Sequence, residues 1–380
     1  MKIVQVQTQA EAAGAQRISD MIGEGLRARG HEVRTVFMYR KTDVYDRDSH
    51  ADFILAEPPR GLLGQMRAAI GLAGYLRETR ADAVITFQHY GNIFGTIGAR
   101  LAGANLIIAN QSGAPQTRGI RGILTQIDKL MGTFGAYHAN VVNSKWTEAQ
   151  FHTFPKAYQR RMSRIDHGVP APTFTFDKQA MRAAFGLPPG AWLAVSSGRM
   201  APSKNQLALA GALVHLPDIH IAIAGTGPEQ DAILAFARDN GVIDRLHLVG
   251  EVPPSRIFEF LAAGDAYAFS SLTETFGLAA VEAAISGLPV VANKLDVLRE
   301  VLTMDDGRAA ALFVDADAKS MAEGLAELIA RPELAARLAA AGRHLKEQYS
   351  PARMCAGYEA LLLSRSLPHG CNPVDNLQSA

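Results

Sequence analysis

Short apolar runs rich in β-branched residues alternate along the chain with Ala- and Leu-rich stretches of helical character. In the first half we predict strands at Ile3–Gln7, Glu32–Met38, Ala83–Phe87, Leu106–Ala109 and Asn140–Val142. In the second half we predict them at Leu193–Ser196, Ile219–Ala224, Leu246–Val249, Ala266–Phe269, Pro289–Ala292 and Leu312–Val314. Several runs are apolar throughout, as in parallel strands that are buried on both faces. The alternation therefore indicates an α/β fold of parallel sheets covered by helices.

The pattern breaks near Asp166–Thr173, where two prolines and a glycine cannot continue a helix. We expect an N-terminal domain over residues 1–168 and a second domain over residues 169–345. Both should be doubly wound, Rossmann-like domains that face each other across a cleft, with ligands bound outside the carboxyl ends of the strands. Residues 346–380 should form a C-terminal helix that packs back toward the N-terminal domain, followed by a loose tail from Pro368.

Composition and charge narrow the class of protein. A chain of 380 residues can form two full cores, and 48% hydrophobic with 20% charged residues argues against disorder. No apolar run reaches the roughly 20 residues of a membrane span, and the start reads as a strand instead of an export signal. With only two cysteines, neither a disulfide framework nor a thiolate zinc site is expected, which fits a cytoplasmic location.

The charge is distributed unevenly. Residues 1–168 carry 21 Lys+Arg against 14 Asp+Glu, a balance of +7, whereas residues 169–380 carry 17 against 23, a balance of −6. A basic half suits an anionic partner, but no basic run is interleaved with aromatic residues, so nucleic acid is not expected. Arg60–Ile70 and Arg118–Leu124 mix arginine with apolar residues and could contact a membrane surface, ordinary amphipathic surface helices being the alternative.

The segment Ser270–Ala284 follows a predicted strand and opens a predicted helix. It contains Glu274 and Glu282, which would lie about 12 Å apart along the axis if the segment were wholly helical. That span suits a ligand with hydroxyl groups at both ends and an anionic centre, which the helix amides around Thr275–Leu278 could bind. The alternative is a helix with an acidic first turn and a solvated second glutamate.

Two further segments follow strands of the same domain. In Ser196–Gln206, Arg199 and Lys204 lie after a glycine turn at a helix start and could bind phosphate, unless they are ordinary surface cations. In Ile223–Gln230, Gly225 and Gly227 begin like a dinucleotide fingerprint, but Gln230 replaces its third glycine. A nicotinamide site is therefore not supported, and tight turning is as good an explanation as ligand contact.

In their order and spacing, these three segments closely resemble the donor-binding half of retaining glycosyltransferases of family 4, the glycosyl transferases group 1. Val249–Val252, Gly287–Ala292 and Glu300 match further positions, and the resemblance is most specific over residues 195–300. It implies the GT-B fold. It also implies transfer of a hexosyl group from a UDP- or GDP-linked sugar to a hydroxyl acceptor with retention of configuration. A role in bacterial polysaccharide or glycolipid synthesis is expected only because such roles are common. The acceptor could be lipid-linked, with the enzyme at the inner face of the membrane.

The resemblance also implies roles for individual residues. Arg199 and Lys204 would bind the diphosphate, Glu282 the ribose hydroxyls and Glu274 the hydroxyls of the transferred sugar. Glu274, Arg199, Lys204 and His89 are assigned to catalysis. The donor-binding set is Gly14, Ser197, Gly198, Arg199, Lys204, Gly225, Gly227, Val252, Glu274, Thr275, Phe276, Gly277, Leu278 and Glu282.

Some positions depart from the family pattern. A family histidine commonly follows the strand that ends near residue 109, where this chain has Ala109–Gly113, and His89 is assigned part of that role. The alternative is a structural histidine. Ala13 also replaces a common glycine of the first loop. Two other functions stay open: a nucleotide-sugar epimerase of the same fold, and a catalytically silent sugar-nucleotide-binding protein.

The family mechanism needs no protein nucleophile and no cofactor besides the donor substrate, because the departing phosphate helps to take the acceptor proton. No Asp-x-Asp lies in the expected cleft segments, so we predict a metal-independent reaction. Asp315-Ala316-Asp317 comes late in the chain and is expected to cap a helix.

Overall fold

The computed structural model of the chain describes residues 1–11 and 14–366. The backbone divides into an N-terminal domain, made of residues 1–168 and the final segment from Pro351, and a C-terminal domain of Val169–Ser350. The predicted boundary after residue 345 falls inside a helix that runs from Pro332 to Gln348, so the C-terminal domain continues to Ser350. The tail predicted from Pro368 lies outside the described residues.

The described part of the N-terminal domain is built on a seven-stranded parallel sheet of order β3-β2-β1-β4-β5-β6-β7. Its strands are β1 (Lys2–Ala10), β2 (Glu32–Arg40), β3 (Ala51–Leu55), β4 (Ala83–Phe87), β5 (Leu106–Gln111), β6 (Ala139–Val142) and β7 (Met162–Arg164). The helices before the domain boundary are α1 (Gly14–Ala28), α2 (Gly61–Thr79), α3 (Thr96–Ala102), α4 (Gly119–Thr133), α5 (Lys145–Ala149) and α6 (Lys156–Gln159), and a π-helical turn at Gly91–Gly95 leads into α3.

Residues 169–350 contain a six-stranded parallel sheet of order β10-β9-β8-β11-β12-β13. Its strands are β8 (Trp192–Ser197), β9 (Ile219–Ala224), β10 (Leu246–Gly250), β11 (Ala266–Phe269), β12 (Val290–Asn293) and β13 (Ala311–Val314). Its helices are α7 (Lys178–Ala184), α8 (Gln206–His215), α9 (Gln230–Asp239), α10 (Ile257–Ala262), α11 (Leu278–Ile285), α12 (Asp296–Val301), α13 (Ala318–Ala330) and α14 (Pro332–Gln348). The chain then returns to the N-terminal domain as α15 (Pro351–Ser366), which packs on α1.

The eleven predicted strands are all present, three of them with the predicted bounds: Ala83–Phe87, Ile219–Ala224 and Ala266–Phe269. The strands inside each sheet are largely buried on both faces by flanking helices, whereas β10 and β13, at the edges of the C-terminal sheet, are mostly half-buried. The prediction missed β3 and β7, the two edge strands of the N-terminal sheet, which are only five and three residues long and contain no fully buried residue. The expected helix cap is also confirmed, because the carboxylate of Asp317 accepts a hydrogen bond from the amide of Ser320 at the start of α13.

The strand order reverses once in each sheet, and this reversal determines where ligands can bind. In the N-terminal sheet the order changes direction between β1 and β4, and in the C-terminal sheet between β8 and β11. Helices that leave the two strands on either side of such a point diverge to opposite faces of the sheet, which opens a crevice at the carboxyl ends. The segments after β8 and β11 therefore flank one crevice, and those after β1 and β4 flank another.

Candidate functional site

A direct contact joins two predicted site residues from opposite sides of the C-terminal crevice. Nζ of Lys204, after β8, donates a hydrogen bond to Oε1 of Glu274, after β11, at 2.6 Å. Their side chains are 32% and 12% exposed, so the ion pair is partly shielded but still open to solvent. A cation and a carboxylate therefore lie side by side where an α/β sheet binds ligands.

Backbone and hydroxyl contacts fix the two segments that carry this pair. Oγ of Ser270 donates to the carbonyls of Lys204 and Asn205, and Oγ of Ser271 donates to that of Ser203 at 3.2 Å. The amide of Leu272 also donates to the Ser203 carbonyl at 2.8 Å. These contacts hold the segment after β8 against the segment after β11, so the charges are positioned before any ligand binds.

Gly225 and Gly227 allow the backbone after β9 to lie close to the backbone after β8. A Cβ added to Gly225 would lie 2.1 Å from the carbonyl oxygen of Gly198, and one added to Gly227 would lie 2.3 Å from that of Met200. Both glycines also have positive φ angles, +136° and +158°. The segment after β9 thereby supports the loop that carries Arg199, so tight turning accounts for both glycines without a ligand contact.

The segment from Glu274 to Glu282 is not wholly helical, which corrects the assumption behind the 12 Å separation. Gly277 has φ +84°, and α11 begins only at Leu278. Glu274 therefore lies on the loop before the helix. Glu282 is 4% exposed in the second turn of α11. The first amides of α11 have no acceptor within the helix, which makes this end attractive to an anion.

Tyr267 in β11 is a residue of this site that the sequence reasoning missed. Its side chain is fully buried, the amide of Ser197 donates to its Oη at 3.2 Å, and Oγ of Ser197 lies 3.0 Å away. Burial raises the pKa of Tyr267 above its usual range, and the nearby carboxylates of Glu282 and Glu274 raise it further. A tyrosine within a buried strand needs a partner for its hydroxyl, and that requirement was the available signal.

The other predicted donor-binding residues of this domain lie on the same edge of the sheet. Arg199 is exposed and follows Gly198 directly after β8, and the buried amide of Gln206 donates to the carbonyls of both residues. Thr275 and Phe276 precede α11, and half-buried Val252 follows β10.

Gly14 and His89 lie at the carboxyl edge of the N-terminal sheet. Gly14 is the first residue of α1, which follows β1, and His89 follows the neighbouring β4. The two strand ends are linked because the amide of Thr8 donates to Oε1 of Gln88 at 3.2 Å. Nε2 of His89 lies 3.5 Å from Oγ1 of Thr125. Burial lowers the pKa of His89, so its imidazole is neutral near pH 7.

Within residues 1–11 and 14–366, no group of three or more His, Cys, Asp or Glu side chains is arranged to hold a metal ion. The charged groups of the C-terminal crevice described above are instead Arg199, Lys204, Glu274 and Glu282. Two cations at the same edge of the sheet as the start of α11 form an arrangement that can bind a polyanion.

Residues 177–345 match the family model described as Glycosyl transferases group 1. This segment of the chain is similar to the glycosyl transferases of group 1. The matched range contains every predicted donor-binding residue except Gly14, and it lies within the C-terminal domain.

Curated relatives include D-inositol 3-phosphate glycosyltransferase of Mycolicibacterium gilvum, which is 32% identical over 197 residues. The match covers 50% of this chain and 44% of that enzyme, so it spans less than half of the relative's length.

Solved glycosyltransferase structures share the fold over nearly the whole chain. Anabaena Alr3699/HepE in complex with UDP and glucose has a TM-score of 0.83 at 18% identity, covering 96% of this chain and 100% of that one. Sucrose-phosphate synthase from Thermosynechococcus elongatus has a TM-score of 0.80 at 20% identity, covering 95% and 98%. The predicted GT-B fold, with its two parallel α/β sheets, is confirmed.

Proposed function

We propose that this protein is a retaining glycosyltransferase that transfers a hexosyl group from a nucleoside-diphosphate sugar to a hydroxyl acceptor. The observation that carries the proposal is the Lys204–Glu274 contact at the switch point of the C-terminal sheet, within the segment that matches the group 1 model. A diphosphate needs cations, whereas a sugar needs hydrogen-bond acceptors for its hydroxyls, and this pair offers one of each. The UDP and UDP-glucose complexes of the structurally similar HepE support a nucleotide-sugar donor.

In this proposal, Lys204 and Arg199 bind the diphosphate, assisted by the amides at the start of α11. Negative charge builds up on the diphosphate as the sugar bond breaks, so these groups stabilise the transition state more than the ground state. Glu282 binds the ribose hydroxyls and Glu274 those of the transferred sugar. Because Lys204 already pairs with Glu274, the arriving phosphate shares a cation that is held in place.

Retention follows if the acceptor attacks from the face that the diphosphate leaves, with the phosphate helping to take the acceptor proton. Arg199 and Lys204 then supply the positive charge, and we propose that no metal ion or further cofactor takes part. We expect the activity to be unchanged in excess EDTA and not to increase when metal ions are added. Loss of activity on chelation with recovery in Mg²⁺ would contradict this part of the proposal.

The acceptor is proposed to be a hydroxyl compound of bacterial polysaccharide or glycolipid synthesis, used in the cytoplasm. A lipid-linked acceptor suits the N-terminal domain, because α2 and α4 expose large apolar side chains.

The first test is thermal denaturation of the whole protein with UDP, GDP and their sugars, since a ligand that binds the native state raises the melting temperature. Nucleotide release is then measured from the donor that stabilises most, with and without candidate acceptors. Lys204→Met should lower kcat/KM by about 10²–10³-fold, the usual cost of losing one contact to developing negative charge.

Lys178→Met is the matched control. Lys178 also forms an ion pair, with Asp265 at 2.7 Å, but that pair lies before β11 at the opposite edge of the same sheet. Equal activity of the two variants would overturn the assignment of Lys204. Donor binding without any turnover would favour the silent binding protein, and conversion of the donor sugar without an acceptor would favour an epimerase.

A further inference from the structure

The outward face of α4 is apolar along its whole length. It carries a row of large apolar side chains, named here the α4 stripe. The stripe consists of Ile120, Ile123, Ile127, Leu130 and, just after the helix, Phe134, which are 60%, 58%, 37%, 58% and 82% exposed. Their alternating spacing of three and four residues places them within an arc of about 80° around the helix. Exposed apolar residues that occur singly are ordinary, but a continuous row indicates an interaction surface.

The opposite face of α4 is partly polar and is fixed to the N-terminal domain. Oη of Tyr158 donates to Oδ2 of the buried Asp128 at 2.7 Å, and Oη of Tyr137 donates to Oδ1 at 3.2 Å. At the C-terminal end, the guanidinium of Arg161 donates to the carbonyl of Gly132 at 3.0 Å. A surface helix normally turns its apolar side inward. Here the reverse orientation is held by hydrogen bonds, so α4 cannot roll to bury its stripe without breaking them.

α2 repeats this arrangement in its first three turns. Leu63, Met66 and Ile70 are 83%, 50% and 62% exposed and lie three and four residues apart. Both helices begin alike, since an extended arginine is followed by a glycine with φ +62°, at Arg60-Gly61 and at Arg118-Gly119. Both helices also pack against the π-helical turn at Gly91–Gly95. The apolar surface therefore involves two helices that share a common support.

The charges beside this surface have one sign. Arg60 and Arg67 are exposed on the α2 side, as are Arg118 and Arg121 on the α4 side. Across residues 58–77 and 117–134, Asp128 is the only acidic residue, and its carboxylate is buried. An apolar face flanked by arginine, without exposed acids, has the composition of helices that lie in the headgroup region of an anionic bilayer.

We propose that the α4 stripe and the exposed apolar residues of α2 dock this protein on the surface of an anionic lipid bilayer. A second copy of the chain is the less favourable occupant. A contact between two copies through the α4 stripe would place the flanking arginines of both copies at the interface, and neither helix segment offers an exposed acid to pair with them. Thr125, on the buried side of α4, lies 3.5 Å from His89, so a docked membrane would be separated from the loop after β4 by the width of α4.

The test is co-sedimentation of the whole protein with vesicles of pure phosphatidylcholine and with vesicles containing 30% phosphatidylglycerol. We expect binding to the anionic vesicles at least 10-fold tighter than to the neutral ones, and weaker binding as the salt concentration rises. The double variant Ile123→Ser/Leu130→Ser should weaken this binding at least 10-fold. Arg118→Gln/Arg121→Gln should weaken binding to anionic vesicles while leaving the residual binding to neutral ones unchanged.

The matched control is Leu207→Ser/Val214→Ser on α8 of the C-terminal domain, where both side chains are also exposed. It should bind vesicles like the wild type. The α4 variant Ile123→Ser/Leu130→Ser and the α8 control should both keep the wild-type melting temperature, because no buried side chain changes. Failure of the wild type to bind anionic vesicles would overturn the inference, as would an equal loss of binding in the α4 variant and the α8 control. It would also be overturned if light scattering showed a dimer that Ile123→Ser/Leu130→Ser converts to monomer. Donor binding and nucleotide release in solution do not depend on this surface, so they test the proposed function separately.

Discussion

Replacing Gly225 by alanine tests how the loop after β8, which carries Arg199, is supported. The added Cβ would lie 2.1 Å from the carbonyl oxygen of Gly198 and 2.9 Å from its carbonyl carbon, both in backbone that cannot move without displacing the loop after β8. Overpacking of this kind costs about 1–3 kcal/mol, and alanine at a positive φ adds about 1 kcal/mol or more. We therefore expect Gly225→Ala to lower the free energy of unfolding by about 4 kcal/mol.

The matched control is Gly241→Ala. Gly241 also has a positive φ, +66°, but nothing lies within 4 Å of its added Cβ. The control should cost about 1 kcal/mol, which leaves a difference of about 3 kcal/mol due to the clash and to the greater strain of alanine at φ +136°. For a domain of this size, differential scanning calorimetry should place the melting temperature of Gly225→Ala about 6–12 °C below that of the control. Equal melting temperatures would refute the view that Gly225 exists to admit the Gly198 backbone.

Three further substitutions test buried polar groups. Burial raises the pKa of Asp128 to about 6, so the stabilising contribution of its protonated form is present at low pH and lost as pH rises through 6. Lowering the pH from 8 to 5 should therefore raise the free energy of unfolding of the wild type by about 1 kcal/mol relative to Asp128→Asn. Parallel pH profiles of stability for the two proteins would contradict this. Tyr267→Phe removes the hydroxyl that holds Ser197, and should cost about 1–3 kcal/mol and weaken nucleoside-diphosphate binding in titration calorimetry; unchanged affinity would argue against a positioning role. Arg182→Leu removes the buried guanidinium that donates to the Asp265 carboxylate and to several backbone carbonyls. It should lower the free energy of unfolding, measured in urea, by about 3–5 kcal/mol. A decrease below about 1 kcal/mol would show that water replaces the guanidinium.

Most interior strands were predictable because they are buried on both faces and are therefore mainly apolar. Ala83–Phe87 and Ala266–Phe269 needed no knowledge of their neighbours. The edge strands β3 and β7 were not predictable in this way. Met162–Arg164 carries serine and arginine, since one side of an edge strand meets solvent, and it is a strand only because β6 pairs with it.

The candidate site was predictable as a set of segments, but its geometry was not. The order of the motifs identified Lys204 and Glu274, yet they are 70 residues apart in the chain and their 2.6 Å contact depends on the pairing of β8 with β11. The helical spacing assumed between Glu274 and Glu282 was wrong because Gly277 delays the start of α11. The backbone clearance that requires Gly225 became visible only when the carbonyl of Gly198 was located, and the ligand contact considered for Gly225 stays a prediction.

By itself, the sequence determined the alternation of strands and helices, the division near residue 168 and the segments that carry charge, because these properties depend on local periodicity and on turn-forming residues. Only the tertiary structure decided which charges meet and which helix faces are left uncovered. Ile123 and Leu130 are exposed because Tyr137 and Tyr158 hold Asp128 inward, which turns the apolar side of α4 to the solvent. Side-chain orientation of that kind is set by contacts between distant parts of the chain, and periodicity carries no record of them.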